Sequence, residues 1–268
     1  MTTSPAAPAD AVVLRHRDLE HIANAALRMG RLLMECGGRV RVVHEGVSLV
    51  ARGLGAESVH LRVGYASLAV TVGAGAETIT RMSEVGRHGV NHRLDLALRR
   101  FALEVAGGGL DVAAVHAGID RLVETTPHHP LWVVAPATGL ACAAFARLLG
   151  VDWIAFLPVM IGGTVGQWAR NRLLHRGVNP CVMAALVAFL AGTLGGWGAK
   201  LLGSGSVDMA LMASTLLLVP GVPATNAQTD IMEGYPTVGS ARAVWVAMIM
   251  VFATTGIWGA STLVRILP

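Results

Sequence analysis

The chain has 268 residues, a mean hydropathy of +0.57 and 53% hydrophobic residues, which is too apolar for an ordinary soluble protein. Its formal net charge of +4 comes from scattered arginines rather than from a basic run with interleaved aromatics, which argues against a nucleic-acid partner. Most charged residues lie in residues 1–129, so the chain divides into a water-compatible first half and an apolar second half.

The first half predicts a soluble α+β domain over residues 15–128, built of helices with a small β-hairpin or sheet. Residues 1–14 are expected to be a flexible tail, and they lack the basic and apolar regions of a secretory signal. Apolar residues then recur every three or four positions from Asp18 to about Gly55, which predicts helix. The Gly37–Gly38 pair either separates two helices in this stretch or loosens a single one.

The rest of this domain combines strand and helix signals. Residues 58–73 alternate apolar and polar side chains, which predicts a hairpin or a pair of strands. Residues 91–106 predict a helix with Asn91 as its N-cap, and a shorter helix is expected from Asp111 to about Val123.

Beyond Pro130 the chain contains five long windows without charge. A helix needs about 20 apolar residues to cross a bilayer, with a working range of roughly 17–25. We therefore predict an all-α membrane domain of five transmembrane helices over residues 129–268. The expected spans are 131–149, 152–170, 178–200, 207–228 with a break at 220–223, and 240–264.

The arginines predict how these spans are oriented. The loop between the second and third spans carries Arg170, Arg172, His175 and Arg176, and such loops remain in the cytoplasm. Five crossings then place the N-terminal domain in the cytoplasm and Pro268 outside it. This agrees with the missing secretory signal.

The segment LLLVPGVPATNAQTDIMEGY, residues 216–235, interrupts the fourth span. Pro220 and Pro223 lack N–H groups, so the helix loses donors and some carbonyls lose partners. In hydrocarbon each such group costs several kcal/mol, so a break is tolerated only where protein or water surrounds it. Two half-helix ends with opposite partial charges would meet near Gly221, and Pro223 suits the first position of the restarted helix.

This arrangement predicts a binding site for a zwitterion or a small carboxylate. Thr225 and Asn226 would hold a carboxylate, and Asp230, on the same helical face as Asn226, would hold an ammonium or a coupling proton. Alternatively, the fourth span ends at Val219 and the polar segment is a cytoplasmic loop. Gln167, Ser214 and Thr215 are weaker candidates, since hydroxyls in membrane helices commonly bond their own backbone.

No catalytic residue, metal ligand or cofactor is predicted. The histidines of the first half have no metal-ligand spacing, and nucleophile-elbow and phosphate-loop motifs are absent from the sequence. Cys36, Cys142 and Cys181 are far apart and imply no disulfide framework. Glycines four residues apart, Gly162 with Gly166 and Gly192 with Gly196, favour close helix packing over solute access.

The segment LVPGVPATNAQTDIMEGY resembles the proline-glycine-proline signature of threonine/serine exporters. Two segments of the first half, LLMECGGRVRVVHEGVSLVARGLG and TRMSEVGRHGVNHRLDLALRRFALEVAGG, are similar to the N-terminal domain of that family. The resemblance implies a bacterial inner-membrane exporter of small amino acids or related organic acids, driven by an ion gradient. One departure is Val42-Val43-His44, where the family has Arg-Val-Glu.

Single-chain members of that family carry a second block of spans, which this chain lacks. The resemblance therefore implies a split form that works with a separate small membrane subunit or as a homo-oligomer, surrounded by membrane lipid. Split-form relatives are associated with dicarboxylates such as succinate as well as with amino acids. A membrane-anchored enzyme or regulatory domain and a scaffold without transport are the alternatives of other classes. The histidine spacings argue against the enzyme, and the scaffold would not explain the polar break.

Overall fold

The computed structural model describes residues 15–127 and 129–268, so the tail expected over residues 1–14 lies outside the described residues. The chain groups into two compact units. The first unit combines the residues up to Pro127 with Thr225–Ala241. The second unit combines His128–Ala224 with Arg242–Pro268. Each unit therefore consists of two separate stretches of sequence.

The first unit contains four helices and a small sheet before the chain enters the second unit. These elements are α1 (His16–Glu35), α2 (Val40–Gly53), β1 (Ser58–Val63), β2 (Ser67–Ala74), β3 (Glu77–Glu84), α3 (His92–Ala106) and α4 (Val112–Thr125). The strands form an antiparallel sheet in the order β1–β2–β3. The third strand was not predicted, because its charged and polar residues hide the alternation of a half-buried strand.

Helix caps confirm two of the predicted helix starts. The Asn91 side chain accepts a hydrogen bond from the Leu94 N–H at 3.2 Å and begins α3. The Asp111 side chain accepts one from the Ala114 N–H at 2.7 Å and begins α4. Each cap satisfies one of the backbone donors that a helix leaves without a partner in its first turn.

The core of the first unit lies between α1, α2 and the sheet. On β2, alternate residues Leu68, Val70 and Val72 are fully buried, as the two-residue period of a strand requires. They belong to one cluster with the apolar face of α1, including Leu19 and Met29. Burial of each such side chain stabilises the unit by about 1.5–3 kcal/mol.

The second unit is helical throughout its described part. It contains α5 (Leu131–Leu148), α6 (Phe156–His175), α7 (Pro180–Leu201), α8 (Val207–Ser214) and a 3₁₀ turn (Leu216–Leu218). Two helices run from one unit into the other, and they are α9 (Gly221–Met232) and α10 (Pro236–Ile266). Within the second unit α6 packs between α5 and α7, and α7 packs against α8.

Three helices of the described chain are long and apolar enough to span a membrane, namely α5, α7 and α10. The pair Val207–Leu218 and Gly221–Met232, bent by 63°, makes a fourth if it counts as one broken span. The α6 helix is not among them, because Arg170, Arg172 and other polar residues occupy its last turns. The five-span count therefore stays a prediction.

The two ends of the second unit differ in their polar contacts. At one end, the Ser204 hydroxyl donates to Asp152 Oδ2 at 2.6 Å and ties the α7–α8 connection to the α5–α6 connection. The other end carries the arginines at the end of α6, including Arg170 and Arg172. The position of the helix break along the second unit can therefore be described relative to these two ends.

Candidate functional site

The helix break lies between the 3₁₀ turn and α9. Val219 is extended, with φ −65° and ψ 114°, and Pro220 follows it before α9 begins at Gly221. The restart therefore comes two residues earlier than predicted, and Pro223 occupies the third position of α9. A proline costs no helical hydrogen bond there, because the first N–H groups of a helix have no intrahelical acceptor.

The carbonyls around the break have identified partners. The Val219 N–H donates to the Leu216 carbonyl at 3.1 Å, and the Gly221 N–H donates to the Val219 carbonyl at 2.9 Å. The Leu217 carbonyl accepts a hydrogen bond at 3.1 Å from Nη1 of Arg170 on α6. From its sequence, Arg170 counts only as an orientation signal, so its contact with the break was missed. An arginine inside a predicted span is the signal that could have found it.

Packing places the break near the arginine-bearing end of the second unit. Leu218 is buried in one cluster with Met183, Ala184 and Val187 of the first turns of α7. A Cβ added to Gly166 would lie 2.9 Å from Cδ2 of Leu217. The segment Val207–Leu218 therefore runs from the Asp152–Ser204 end to near the arginine-bearing end of the second unit before the chain bends.

The weaker candidates lie in the second unit and bond locally. Ser214 is fully buried, and its hydroxyl donates to the Ala210 carbonyl at 2.8 Å. The Thr215 hydroxyl donates to the Met212 carbonyl at 2.7 Å. Gln167 is half-buried on α6, three residues before Arg170. Hydroxyl bonds to the preceding turn are the common arrangement in apolar helices.

The residues near the restart of α9 differ in exposure. Gly221 and Thr225 are both exposed, and a Cβ added to Gly221 would meet no atom within 4 Å. Asn226 is half-buried and Asp230 is fully buried. The last three of these residues belong to the part of α9 in the first unit.

Asn226 and Asp230 contact the turn between α1 and α2, Cys36–Val40, which we call the α1–α2 corner. The Asn226 side-chain amide donates to the Gly37 carbonyl at 2.7 Å. The Val40 N–H donates to Asp230 Oδ1 at 2.9 Å. Both candidates therefore have protein partners in this conformation, and Val40 is one of the partners of Asp230.

Two glycines shape the α1–α2 corner. The Gly38 N–H bonds the Leu33 carbonyl at 2.8 Å and the Gly37 N–H bonds the Met34 carbonyl at 3.0 Å, which ends α1 in a Schellman motif. Gly37 has φ +88°, and a Cβ there would lie 2.7 Å from the Gly89 carbonyl oxygen. The pair thus separates two helices, the first of the two predicted alternatives.

The corner also leaves a donor that Asp230 satisfies. Arg39 is the N-cap residue of α2 and its side chain forms no cap hydrogen bond. Val40 is the first residue of α2, so its N–H has no acceptor within the helix. The carboxylate of Asp230 supplies the acceptor and places negative charge at the positive end of α2.

Two further contacts join α2 and the residues that follow α9. Arg39 and Glu233 form an ion pair at 3.6 Å. The His44 and Tyr235 rings stack with centroids 5.4 Å apart and an interplanar angle of 28°. Burial lowers the pKa of His44 below its usual value. His44 is one of the residues at which the sequence departs from the family pattern, and its ring stacks on that of Tyr235.

The predicted site residues thus form two groups in two units. Ser214 and Thr215 bond their own segment of the second unit, whereas Asn226 and Asp230 bond the corner of the first. Gly37 and Val40 were missed, since they lie 189 and 190 residues away from their partners and local periodicity carries no information on such pairs. Among the described residues no group of His, Cys, Asp and Glu could hold a metal ion.

A groove of about 500 Å³ between α5 and α6 contains none of the predicted site residues. Its lining is almost entirely apolar, and the hydroxyl of Thr164 in it donates to the Met160 carbonyl at 2.7 Å. The lining residues are Leu131, Trp132, Ala135, Pro136, Thr164, Val165 and Trp168. Such a surface suits an acyl chain or a neighbouring apolar helix better than a charged solute.

Comparisons with known proteins agree with these features. Two relatives named "Probable succinate transporter subunit YjjP", from Klebsiella aerogenes and Escherichia coli (strain K12), are 25% and 26% identical to the chain. Each alignment extends over 235 residues and covers 87% of this chain and 90% of the relative. No solved structure matches the chain. The model of the family described as "Putative threonine/serine exporter" matches residues 24–264, so the chain belongs to the threonine/serine exporter family.

Proposed function

We propose that this chain is a subunit of an inner-membrane exporter of small polar metabolites, driven by an ion gradient. The family and the name "transporter subunit" of both relatives support transport. The observation that carries the proposal is the helix interrupted between Leu218 and Gly221, followed by a polar segment in an otherwise apolar chain. A break of this kind needs protein or water around it, and transporters bind solutes at such breaks.

The proposed substrate-binding groups lie in the segment Pro220–Asp230, with Asn226 toward a carboxylate and Asp230 toward an ammonium or a coupling proton. Gln167, Ser214 and Thr215 are secondary candidates. Arg170 adds a permanent positive charge to the break, because its guanidinium bonds the Leu217 carbonyl. The partial positive charge at the start of α9 has the same sign. Both favour a solute that carries at least one carboxylate.

Two substrate classes fit this chemistry. The family description favours threonine and serine, which carry one carboxylate and one ammonium group. A small dicarboxylate such as succinate is the second candidate, and the printed names of the two relatives together with Arg170 favour it. Neither class requires the chain to be an enzyme.

The proposed topology has five crossings. Residues 15–128 lie in the cytoplasm together with Thr225–Ala241, which belong to the same unit. The rest of residues 129–268 forms the membrane domain, and Pro268 lies outside the cytoplasm. The arginines at the end of α6 support this orientation, since positively charged loops remain inside. A reporter fused after Pro268 should therefore be active only outside the cytoplasm. Cytoplasmic activity of that reporter would contradict the five-span count.

A second small membrane subunit, or further copies of this chain, would complete the exporter. The name "transporter subunit" of both relatives supports a partner. The exposed apolar residues of α5 and α6, such as Trp132, Leu140 and Leu157, leave surface for lipid and for a partner helix.

Transport by reconstituted protein tests the proposal. Proteoliposomes that contain the chain, with and without its second subunit, are loaded with labelled threonine, serine or succinate, and an ion gradient is imposed. We expect gradient-dependent efflux of at least one solute. A protonophore or ionophore should abolish this efflux. Protein-free liposomes and a variant with Asn226→Ala, expected to bind the solute more weakly, serve as controls. Absence of flux for every solute and every subunit combination would overturn the proposal.

A further inference from the structure

We infer that the α1–α2 corner occupies the binding groups of α9, the side chains of Asn226 and Asp230. A solute must displace the corner before it can bind these side chains. The inference rests on the function proposed above and concerns the regulation of that same site. It starts from the chemistry of two hydrogen bonds. The Gly37 carbonyl of the corner is an acceptor for α9, and the Val40 N–H of the corner is a donor to it.

The α9 helix, which follows the break, bonds these two groups through complementary side chains. The amide of Asn226 donates to the carbonyl and the carboxylate of Asp230 accepts from the N–H. Asn226 and Asp230 are the residues that the polar segment would use toward a carboxylate and an ammonium group. A solute that carries both groups could replace both bonds without leaving a buried polar atom unsatisfied. The corner and such a solute would therefore compete for the same two side chains.

The corner has a fixed conformation of its own, so it can occupy the binding groups as a rigid element rather than as a flexible lid. Its shape follows from the Schellman motif and from the positive φ of Gly37, neither of which depends on α9. A solute that displaces the corner leaves the Val40 N–H to water, as at any exposed helix start. Both states of the corner are thus available without refolding of α1 or α2.

One of the contacts that hold the corner in place is an exposed ion pair, which is weak. The Arg39–Glu233 pair is partly exposed, with 44% and 22% of the two side chains accessible to solvent. Exposed ion pairs of this kind contribute little each. The pair consists of the Arg39 and Glu233 side chains, so it can be removed without replacing Asn226 or Asp230, the residues that would bind the solute. Its removal should shift the balance from the corner toward the solute.

The structure provides a matched control on the same helix. Arg52 is exposed in the last turn of α2, at the opposite end of the helix from Arg39. Arg52→Ala removes the same side chain from the same helix, about 20 Å along the helix axis from Arg39 and its partner Glu233. Any effect of losing charge from α2 in general should appear in both variants.

The test measures transport affinity with threonine, serine and succinate as probes in turn, using the full chain reconstituted with its second subunit. For a solute that the wild type transports, Arg39→Ala is expected to lower the apparent KM about two- to five-fold. Glu233→Gln should act in the same direction, and Arg52→Ala should leave KM unchanged. An unchanged or raised KM in both Arg39→Ala and Glu233→Gln would overturn the inference.

Amide hydrogen exchange gives a readout that a merely structural contact would not change. In the wild type, a saturating concentration of the transported solute should speed exchange in peptides that contain Val40, because its N–H loses the Asp230 carboxylate. Unchanged or slower exchange there would overturn the inference even with normal transport. Absence of both flux and binding in the wild type would overturn the proposed function, and this inference with it.

Discussion

The two arms of the broken helix use their polar side chains in different ways. In the first arm, Val207–Leu218, the hydroxyls of Ser214 and Thr215 donate to carbonyls three or four residues earlier. In the second arm, Gly221–Met232, Asn226 and Asp230 bond a turn nearly two hundred positions away. A polar group satisfied locally can be exchanged without consequence elsewhere. A polar group satisfied at a distance commits two parts of the chain to each other, so replacing it should affect both.

The largest effect is expected for Asp230→Asn in the second arm. The amide oxygen can still accept from the Val40 N–H, whereas the negative charge of the carboxylate is lost. Flux in the proteoliposome assay should drop to background, because the proposed ammonium or proton site needs a carboxylate. Asp208→Asn, at an exposed aspartate of the first arm, is the matched control and should transport normally. Unchanged flux in Asp230→Asn would remove this residue from the mechanism.

The next effect is steric and concerns the packing of the first arm. A Cβ at Gly195 of α7 would lie 1.8 Å from Oγ of Ser214, which is fully buried and cannot move away freely. Gly195→Ala should therefore lower the free energy of unfolding in detergent by about 1–3 kcal/mol. Gly205→Ala is the control, since a Cβ there meets no atom within 4 Å. Equal unfolding midpoints for the two variants would contradict the close packing of α7 and α8.

A smaller effect concerns the stack beside the second arm. Burial lowers the pKa of His44, so the folded chain favours the neutral ring. The neutral His44 ring therefore contributes to the free energy of unfolding above the usual histidine pKa of about 6.5, and this contribution is lost as the pH falls below that value. The unfolding midpoint of the chain should therefore decrease between pH 7.5 and pH 5.5. Burial and the Arg28 charge also lower the pKa of His116, so that residue contributes with the same sign.

A variant separates the two histidines. His44→Phe keeps a ring against Tyr235 but cannot titrate, so its midpoint should depend less on pH than that of the wild type. A midpoint that rises on acidification, or an identical pH dependence in wild type and His44→Phe, would exclude His44 as a contributor.

The smallest effect is expected for Ser214→Ala in the first arm. The hydroxyl bonds only the preceding turn, and alanine fits the same space, so the unfolding free energy should change by no more than about 0.5 kcal/mol. Flux should also stay at the wild-type level. A tenfold loss of flux would mean that Ser214 contacts the solute, and the difference between the two arms would then disappear.

The sequence predicted those features that depend on neighbouring residues. Asn91 and Asp111 begin helices where their side chains suggest, because a cap acts over one turn. For Gly37–Gly38 the sequence left two alternatives, and the positive φ of Gly37 at the end of α1 decides for two helices. The break near Pro220 follows from the missing N–H groups of proline. These signals are local, so a single sequence contains them.

The features that the sequence did not predict depend on distant partners. Strand β3 carries Glu77, Arg81 and Glu84, and its half-buried character arises only from pairing with β2. The contacts of Asn226 and Asp230 with the corner need two segments far apart in the chain. The polar face of α9 could thus be recognised as meaningful, but its partner could not be identified.

The first unit is formed from two separate stretches of sequence, which has a consequence for how the protein is made. A ribosome delivers Thr225–Ala241 only after α5 to α8 have been synthesised. At about 5–20 residues per second, the nascent first unit waits for several seconds before this last piece arrives. Throughout that interval the start of α2 lacks the carboxylate of Asp230. An expression fragment that stops at Pro127 would remain permanently in this unfinished condition.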